Sequence, residues 1–292
     1  MAYVGRFAPS PTGPLHLGSL TTAVASYLHA RKAGGEWLVR IEDIDPPRET
    51  PGAAAAILNT LDAFGLHWDR SVLYQSSRLD AYRSAAEDLL AGGSAFRCSC
   101  SRRDVQETTG GSRRYPGTCR SRVTHSGATA IRARVEPGTY TFVDGLQGPI
   151  EADVHAADGD YLIYRRDGFP AYHLAVVLDD DYQGVDTIVR GTDLLDSTGA
   201  HLHLQRLLGI REPGYLHVPI LVDDGGHKLS KQTGAPAVGP SYTAAIAARV
   251  LGYLGMPVPP ALAKASGPEL WSWAVDRGDF AELFGRRRIH MQ

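Results

Sequence analysis

The sequence predicts an α/β protein, a parallel sheet covered by helices and interrupted by an inserted subdomain. Three observations carry that expectation. Strand-like and helix-like runs alternate over residues 1–95 and resume near residue 170, as a parallel sheet with crossover helices requires. Between them the chain changes character: arginines and all three cysteines crowd together, and short alternating apolar runs follow. The chain also opens with a strand, a tight turn and a helix, an order that sets anion-binding amides above the strand's carboxyl end.

Residues 3–7 read as a short strand. Pro9, Pro11, Gly13 and Pro14 forbid its regular continuation, and from Leu17 the run LGSLTTAVASYLHARKAGG is apolar at helical spacing, predicting a helix over 17–33. His16 and Gly18 lie at the junction. Gly18 lets another group approach the backbone, and His16 offers a ring nitrogen that can donate to a phosphate oxygen. A second strand is expected at 37–42 (WLVRIE), then helices at 51–64 and 78–92. Glu42 ends that strand, where a carboxylate can meet a substrate ammonium; Asp45 reads as a cap for the helix that starts after Pro46 and Pro47.

Residues 97–134 hold nine arginines against one aspartate and one glutamate, a net of +7 in a chain whose formal charge is −2. Contact with nucleic acid is therefore expected from this local patch, with affinity that falls as salt rises. Cys98 and Cys100 flank Ser99, and eighteen residues separate Cys100 from Cys119. That spacing supplies three of the four ligands of a structural Zn2+ site, and an odd number of cysteines argues against a disulfide framework. His125 and water are candidates for the fourth position. From residue 129 the runs TAIRARV, GTYTFVDGL and DYLIYRR read as one antiparallel sheet.

The parallel sheet is expected to resume near 170, with VVLDDDYQGVDTIVRGTD giving a strand, an acidic turn and a strand ending at Arg190. His201 and His203 sit two apart on an expected helix and point in different directions, so they read as structural rather than as a metal pair. After a strand (LHVPILVDD) and the Gly225-Gly226 turn comes HKLSK at 227–231. Only four lysines occur in the chain, and two of them, Lys228 and Lys231, fall here. This sequence uses arginine for its solvated faces, so the pair reads as mobile ammonium groups beside migrating phosphates. A helix (YTAAIAARVLGYLG), a proline-marked loop and a Trp-containing helical stretch ending in GRRRIHMQ close the chain. At 43% hydrophobic and 21% charged, 292 residues suffice for one large core with an insertion. No apolar run approaches the length of a membrane span and no signal pattern opens the chain; a cytoplasmic monomer without membrane contact is expected.

HLGS at 16–19 resembles the HIGH signature, and KLSK at 228–231 the KMSKS signature, of the class I aminoacyl-tRNA synthetases. The stretches RFAPSPTGPLHLGS, RIEDIDPPR, GFPAYHLAVVLDD and IVRGTDLLDSTGAHLHLQRLLG resemble the glutamate-specific branch, so the resemblance covers residues 3–240. It implies a Rossmann-type catalytic domain in two halves, 1–95 and 169–240. A zinc-containing insertion at 96–168 approaches the RNA, and a short helical tail fills 241–292. It assigns a pocket for L-glutamate to Arg6, Phe7, Ala8, Pro9 and Ser10 with Glu42, Tyr172 and Arg190. Two carboxylates and an ammonium need arginine forks, an acid and an orienting phenol. ATP, with Mg2+, falls to His16, Gly18 and Lys231, and catalytic charge stabilisation to His16, Lys228 and Lys231. For the metal, the resemblance favours Tyr115, in YPGTC, beside Cys98, Cys100 and Cys119. Two departures stand out. Gln232 follows KLSK where many relatives carry serine, which is expected to alter loop contacts without abolishing ATP use; Ser19 replaces a histidine or glycine and suits helix capping.

The tail, 241–292, is short, whereas full glutamyl-tRNA synthetases continue into an anticodon-reading domain. A compact chain of this size has a radius of gyration of roughly 19 Å, too small to hold an acceptor end and grip a distant anticodon as well. Truncation and the CxC…YxxxC insertion together resemble a stand-alone branch that attaches glutamate to the queuosine base at the wobble position of tRNA(Asp). The expectation is activation of glutamate by ATP without tRNA, then transfer to tRNA(Asp) bearing queuosine. An atypical glutamyl-tRNA synthetase charging an acceptor terminus is the alternative, and a non-catalytic RNA-binding module of the same fold is the third reading. The module has no use for two lysines beside a nucleotide.

Overall fold

The computed structural model describes residues 3–112, 114–121, 126–229, 237–239, 241–278 and 280–291. His125, Lys231 and Gln232 lie outside the described residues. Strand β1 (Val4–Phe7) is buried along its length and leads through the Pro/Gly turn into helix α1 (Leu17–Lys32), whose Leu20, Ala23, Val24 and Leu28 are sealed from solvent. Strand β2 (Glu36–Ile41) runs parallel to β1, with Val4 opposite Glu36 and Phe7 opposite Val39. Helix α2 (Ala53–Ala63), strand β3 (Leu73–Tyr74), which pairs with β2, and helix α3 (Leu79–Ala91) complete this half.

Next come β4 (Ala95–Cys98), α4 (Arg102–Thr108), β5 (Ala130–Ala133), β6 (Tyr140–Asp144), β7 (Gly148–Ala152), α5 (Val154–Ala157) and β8 (Leu162–Tyr164). The chain then returns through α6 (Tyr172–Tyr182), β9 (Thr187–Gly191), α7 (Thr198–Leu208), β10 (Gly214–Val218) and β11 (Ile220–Val222). Helices α8 (Ala244–Tyr253) and α9 (Gly267–Arg277) and strand β12 (Arg288–His290) finish it.

Sheet β1-β2-β3 is parallel, and a second sheet has the order β7-β6-β10-β9. The two meet at β1 and β9, where the Asp186 amide donates to the Val4 carbonyl (2.8 Å) and the Val4 amide to the Asp186 carboxylate (3.0 Å). The connection after β1 runs to β2 on one side and that after β9 to β10 on the other, and such a switch point opens a crevice beyond the strands' carboxyl ends. The core packs α1, α2, α8 and α9 around Trp37, Leu61, Phe64 and Trp271. Trp271, from the tail, is 2% exposed and donates its indole N–H to the Phe64 carbonyl (2.6 Å), so the tail belongs to the main core. No helix among the described residues is long and apolar enough to cross a membrane.

The structure departs from the sequence-based expectation in three places. The strand expected at VVLDD is the second half of α6: a short continuous apolar run suits a buried helix as well as a buried strand. Its acids form no turn but belong to the helix; Asp179 and Asp180 are buried and face arginines from the first half. The three runs after 129 do not make one sheet. Strands β4, β5 and β8 form an antiparallel sheet, whereas β6 and β7 are a hairpin whose β6 runs parallel to β10. Asp144 explains the switch, because its carboxylate accepts the amides of Leu146, Gln147 and His217 and so stitches the hairpin turn to β10. Finally, RIH at 288–290 forms β12, paired in parallel with β11, rather than a helical end.

Candidate functional site

A cavity of about 460 Å3 opens at the carboxyl ends of β1, β2 and β9. Arg6, Phe7, Ala8, Pro9, Ser10, His16, Gly18, Glu42, Tyr172, Arg190 and Lys228 all line it, so every described residue that the sequence assigns to glutamate or ATP converges on one space.

Its floor is a buried charge network. Arg6 donates Nε and Nη2 to the two carboxylate oxygens of Asp180 (3.0 and 3.2 Å), which Arg40 reaches from the other side (2.8 Å). Burial would raise the Asp180 pKa, but the two guanidinium groups hold it below the usual carboxylate range. Glu42, 9% exposed, lies 3.7 Å from Arg40. Desolvation there outweighs the pull of Arg40 and Arg6 and pushes its pKa up to about 7. A buried acid short of cationic partners is suited to an incoming ammonium.

The opposite wall is Arg190, near the end of β9 and 3% exposed. Its Nε donates to Nε2 of His217 (2.9 Å), and the Nδ1 proton of that ring goes to Asp144 Oδ2 (2.6 Å). Burial lowers the His217 pKa, so the ring is neutral, and the two bonds fix its tautomer. Nη2 of Arg190 donates to Thr198 Oγ1 (2.9 Å) and the Leu194 carbonyl (3.2 Å), while Nη1 meets His201 Nδ1 (3.2 Å) and the Tyr172 hydroxyl (3.5 Å). His201 is completely buried; burial, and then the charge of Arg190, lowers its pKa well below the ordinary value. Sequence reasoning missed this chain of Asp144, His217 and His201 behind Arg190. The residues stand on three elements far apart in sequence, and no motif joins them. His203 points elsewhere, to the Tyr161 hydroxyl (2.6 Å), so the two histidines of α7 do diverge and make no metal pair.

At the far end of the cavity, α1 starts on a reciprocal cap. His16 Nδ1 accepts the Ser19 amide (3.2 Å), and Ser19 Oγ accepts the His16 amide (2.9 Å). With Nδ1 accepting, the ring proton sits on Nε2. A Cβ on residue 18 would stand 3.2 Å from the His16 ring, so Gly18 makes room for the capping imidazole. Lys228 Nζ sits 2.5 Å from Asp193 Oδ2. Leu229 N donates to Leu221 O (2.9 Å) and Val238 N to Leu15 O (2.8 Å).

Away from this cavity, the sulfurs of Cys98, Cys100 and Cys119 lie within 4.8 Å of one another, Cys100 and Cys119 at 3.6 Å. The Tyr115 hydroxyl is 3.3 Å from Cys98 Sγ and 3.7 Å from Cys100 Sγ. A tetrahedral zinc with ordinary bond lengths separates sulfur from sulfur by ~3.8 Å and sulfur from oxygen by ~3.5 Å, so this set is compatible with the ion. Burial pushes the Cys100 thiol up to about 11 and the Tyr115 phenol higher still, so a cation is needed to hold them as anions.

The arginine patch is less available than its count suggests. Arg120 is bound to Asp160, Arg132 lies over the Tyr115 ring, Arg134 donates to the Arg120 carbonyl and Arg114 to the His155 carbonyl. These side chains brace the cysteine loop.

Residues 3–243 match the family model for tRNA synthetases class I (E and Q), catalytic domain. The Glutamyl-Q tRNA(Asp) synthetase of Pseudomonas aeruginosa (strain LESB58) is 51% identical over 282 residues, which cover 97% of this chain and 95% of that protein. Its namesake from Aromatoleum aromaticum is 52% identical over 285 residues, covering 96% and 90%. The crystal structure of glutamate-tRNA synthetase from Elizabethkingia anophelis aligns with a TM-score of 0.80 at 25% identity, over 99% of this chain and 68% of that one. A family model spanning most of the chain, relatives half identical from end to end and a shared parallel-sheet architecture give one conclusion: this chain belongs to the class I aminoacyl-tRNA synthetases, in the glutamate and glutamine branch, and is a ligase-type enzyme.

Proposed function

We propose that the enzyme activates L-glutamate with ATP to glutamyl-adenylate without tRNA, and then transfers the glutamyl group to the queuosine base at the wobble position of tRNA(Asp). The observation that carries the reading is one cavity lined by a buried acid (Glu42) and guanidinium groups (Arg6, Arg190) together with the start of α1 and Lys228, a set that suits an ammonium, carboxylates and phosphates. The names of the half-identical relatives supply the RNA substrate.

Glutamate's ammonium docks on Glu42, and its side-chain carboxylate on the Arg190 wall beside Tyr172. The α-carboxylate then attacks the α-phosphorus of ATP and pyrophosphate leaves. A hydroxyl of the modified base next attacks the acyl carbon, and AMP leaves with the bonding electrons. No enzyme nucleophile is needed. His16 Nε2–H, the α1 amides, Lys228 and Lys231 stabilise charge that builds on the phosphates. Magnesium bound with the nucleotide would neutralise phosphate charge in the part of the cavity lined by Lys228 and Asp193.

Cys98, Cys100, Tyr115 and Cys119 would hold one structural zinc, which fastens the loop between β4 and β5. The insertion, 96–168, divides the catalytic halves 1–95 and 169–240, and its β6–β7 hairpin braces the glutamate wall. The tests are glutamate-dependent exchange of pyrophosphate into ATP without RNA, then transfer of labelled glutamate to queuosine-containing tRNA(Asp). Exchange that requires tRNA(Glu) would favour an enzyme that charges an acceptor terminus instead.

A further inference from the structure

The last described residues form a cationic strap. Phe284 is 64% exposed, and Arg286, Arg287 and Arg288 are exposed in succession. Among the described residues, none of these three guanidinium groups has an ion pair or a side-chain hydrogen bond, whereas Arg6, Arg31, Arg40, Arg70, Arg120 and Arg165 all engage carboxylates. No acid occurs between Glu282 and the end of the sequence.

The backbone beneath these side chains is nevertheless tied down. Gly285 N donates to the Leu146 carbonyl (2.8 Å), and Gln147 Nε2 to the Arg286 carbonyl (2.9 Å). The Arg287 carbonyl accepts from Thr192 Oγ1 (2.6 Å) and Ile220 N (3.1 Å), and β12 continues along β11. Ile289 packs against the core, and by strand alternation Arg288 and His290 face outward. The Phe284 ring lies over the β6–β7 turn, where a Cβ on Gly148 would stand 3.7 Å from its Cζ. The backbone is thus anchored while the three guanidinium groups and the Phe284 ring stay exposed, which leaves them open to a ligand.

The strap borders the cavity. Thr192, which holds the Arg287 carbonyl, precedes Asp193, the partner of Lys228, and β11 supplies Ile220 and Leu221 to the cavity lining. An anion-lined chain with exposed bases fits this surface: arginines take phosphates, and an aromatic face stacks an unpaired base.

We propose that Phe284, Arg286, Arg287 and Arg288 form a docking platform for the single-stranded loop of the RNA substrate. Arg286–Arg288 neutralise loop phosphates and Phe284 stacks one unpaired base, so that the modified base beside it enters the cavity. This deepens the function proposed above and rests on it for the identity of the RNA.

The test uses the full chain, with queuosine-containing tRNA(Asp), its excised anticodon stem-loop and an acceptor minihelix as probes. For single strands, each lost phosphate contact reduces the log–log salt slope by about 0.7, so replacing all three arginines by glutamine should reduce it by about 2 and weaken binding roughly 50-fold at about 0.15 M salt. Phe284→Ala should weaken stem-loop binding about 5- to 150-fold with little change in slope. Pyrophosphate exchange without RNA should be unchanged in both variants, since these residues lie outside the cavity lining. Unchanged RNA affinity and slope in an exchange-competent triple variant would overturn the platform, as would equal losses for the acceptor minihelix and the stem-loop. If the triple variant loses exchange through misfolding, Arg288→Gln alone decides: a slope lower by about 0.7 supports the platform and an unchanged slope rejects it. Absence of exchange in the unaltered protein would refute the tRNA-free activation instead, while the salt slopes would still judge the platform.

Discussion

Asp144→Asn tests the chain of residues behind Arg190. The aspartate accepts the Nδ1 proton of His217 at 2.6 Å, which leaves Nε2 to accept from Arg190 Nε at 2.9 Å. Burial would raise the Asp144 pKa, but His217 and the amides of Leu146 and Gln147 hold it below the usual range, so the carboxylate is ionised at neutral pH. Asparagine keeps Oδ1 for the three backbone amides but offers an N–H toward His217 Nδ1. The ring must then carry its proton on Nε2, where it confronts the Arg190 N–H. A buried donor left without an acceptor costs about 1–3 kcal/mol. Arg190 is expected to lose its fixed geometry, and KM for glutamate to rise about 5- to 150-fold, whereas KM for ATP stays within about twofold. Steady-state exchange kinetics with each substrate varied in turn give both values. A folded variant with an unchanged KM for glutamate, or with both constants raised equally, would refute the positioning role of Asp144 and His217.

Other expectations follow from the same geometry. Glu42 has its pKa raised to about 7 in the unliganded protein, and the substrate ammonium requires the carboxylate form. The KM for glutamate should therefore be flat above pH 7 and rise up to about tenfold per unit as pH falls below it; a flat profile down to about pH 5 would remove Glu42 from the ammonium site. Lys231→Ala should depress adenylate formation far more than glutamate binding, and unchanged turnover would exclude Lys231 from catalysis. Purified protein should contain one zinc per chain by elemental analysis, and Tyr115→Phe should weaken zinc retention against a chelator more than the about 10- to 100-fold typical of an outer-layer partner. Unaltered retention would reject the phenolate as a ligand.

Much of the site was legible because its chemistry is local. The strand, the proline-marked turn and the capped helix lie within the first 32 residues, and Ser19 takes part in the cap as expected, although HLGS does not show the capping role of His16 or the room that Gly18 makes for its ring. The helices expected at 51–64 and 78–92 occur at Ala53–Ala63 and Leu79–Ala91, since amphipathic spacing is a local property. What failed was non-local. Asp179 and Asp180 read as part of an acidic turn, because nothing in LDDDYQG shows that Arg40, Arg78 and Arg6 will bury against them. The β6–β7 hairpin looked like part of the insertion's sheet until the Asp144 contacts to His217 drew it to β10. Composition counts charges without showing that Arg114, Arg120, Arg132 and Arg134 brace the cysteine loop.

The central claim is that one cavity activates glutamate without help from RNA. Glutamate-dependent exchange of labelled pyrophosphate into ATP, measured on purified protein treated with ribonuclease, addresses it most directly. Robust exchange without RNA, abolished when glutamate is omitted, is the predicted result. Exchange that appears only after tRNA is added back would contradict it.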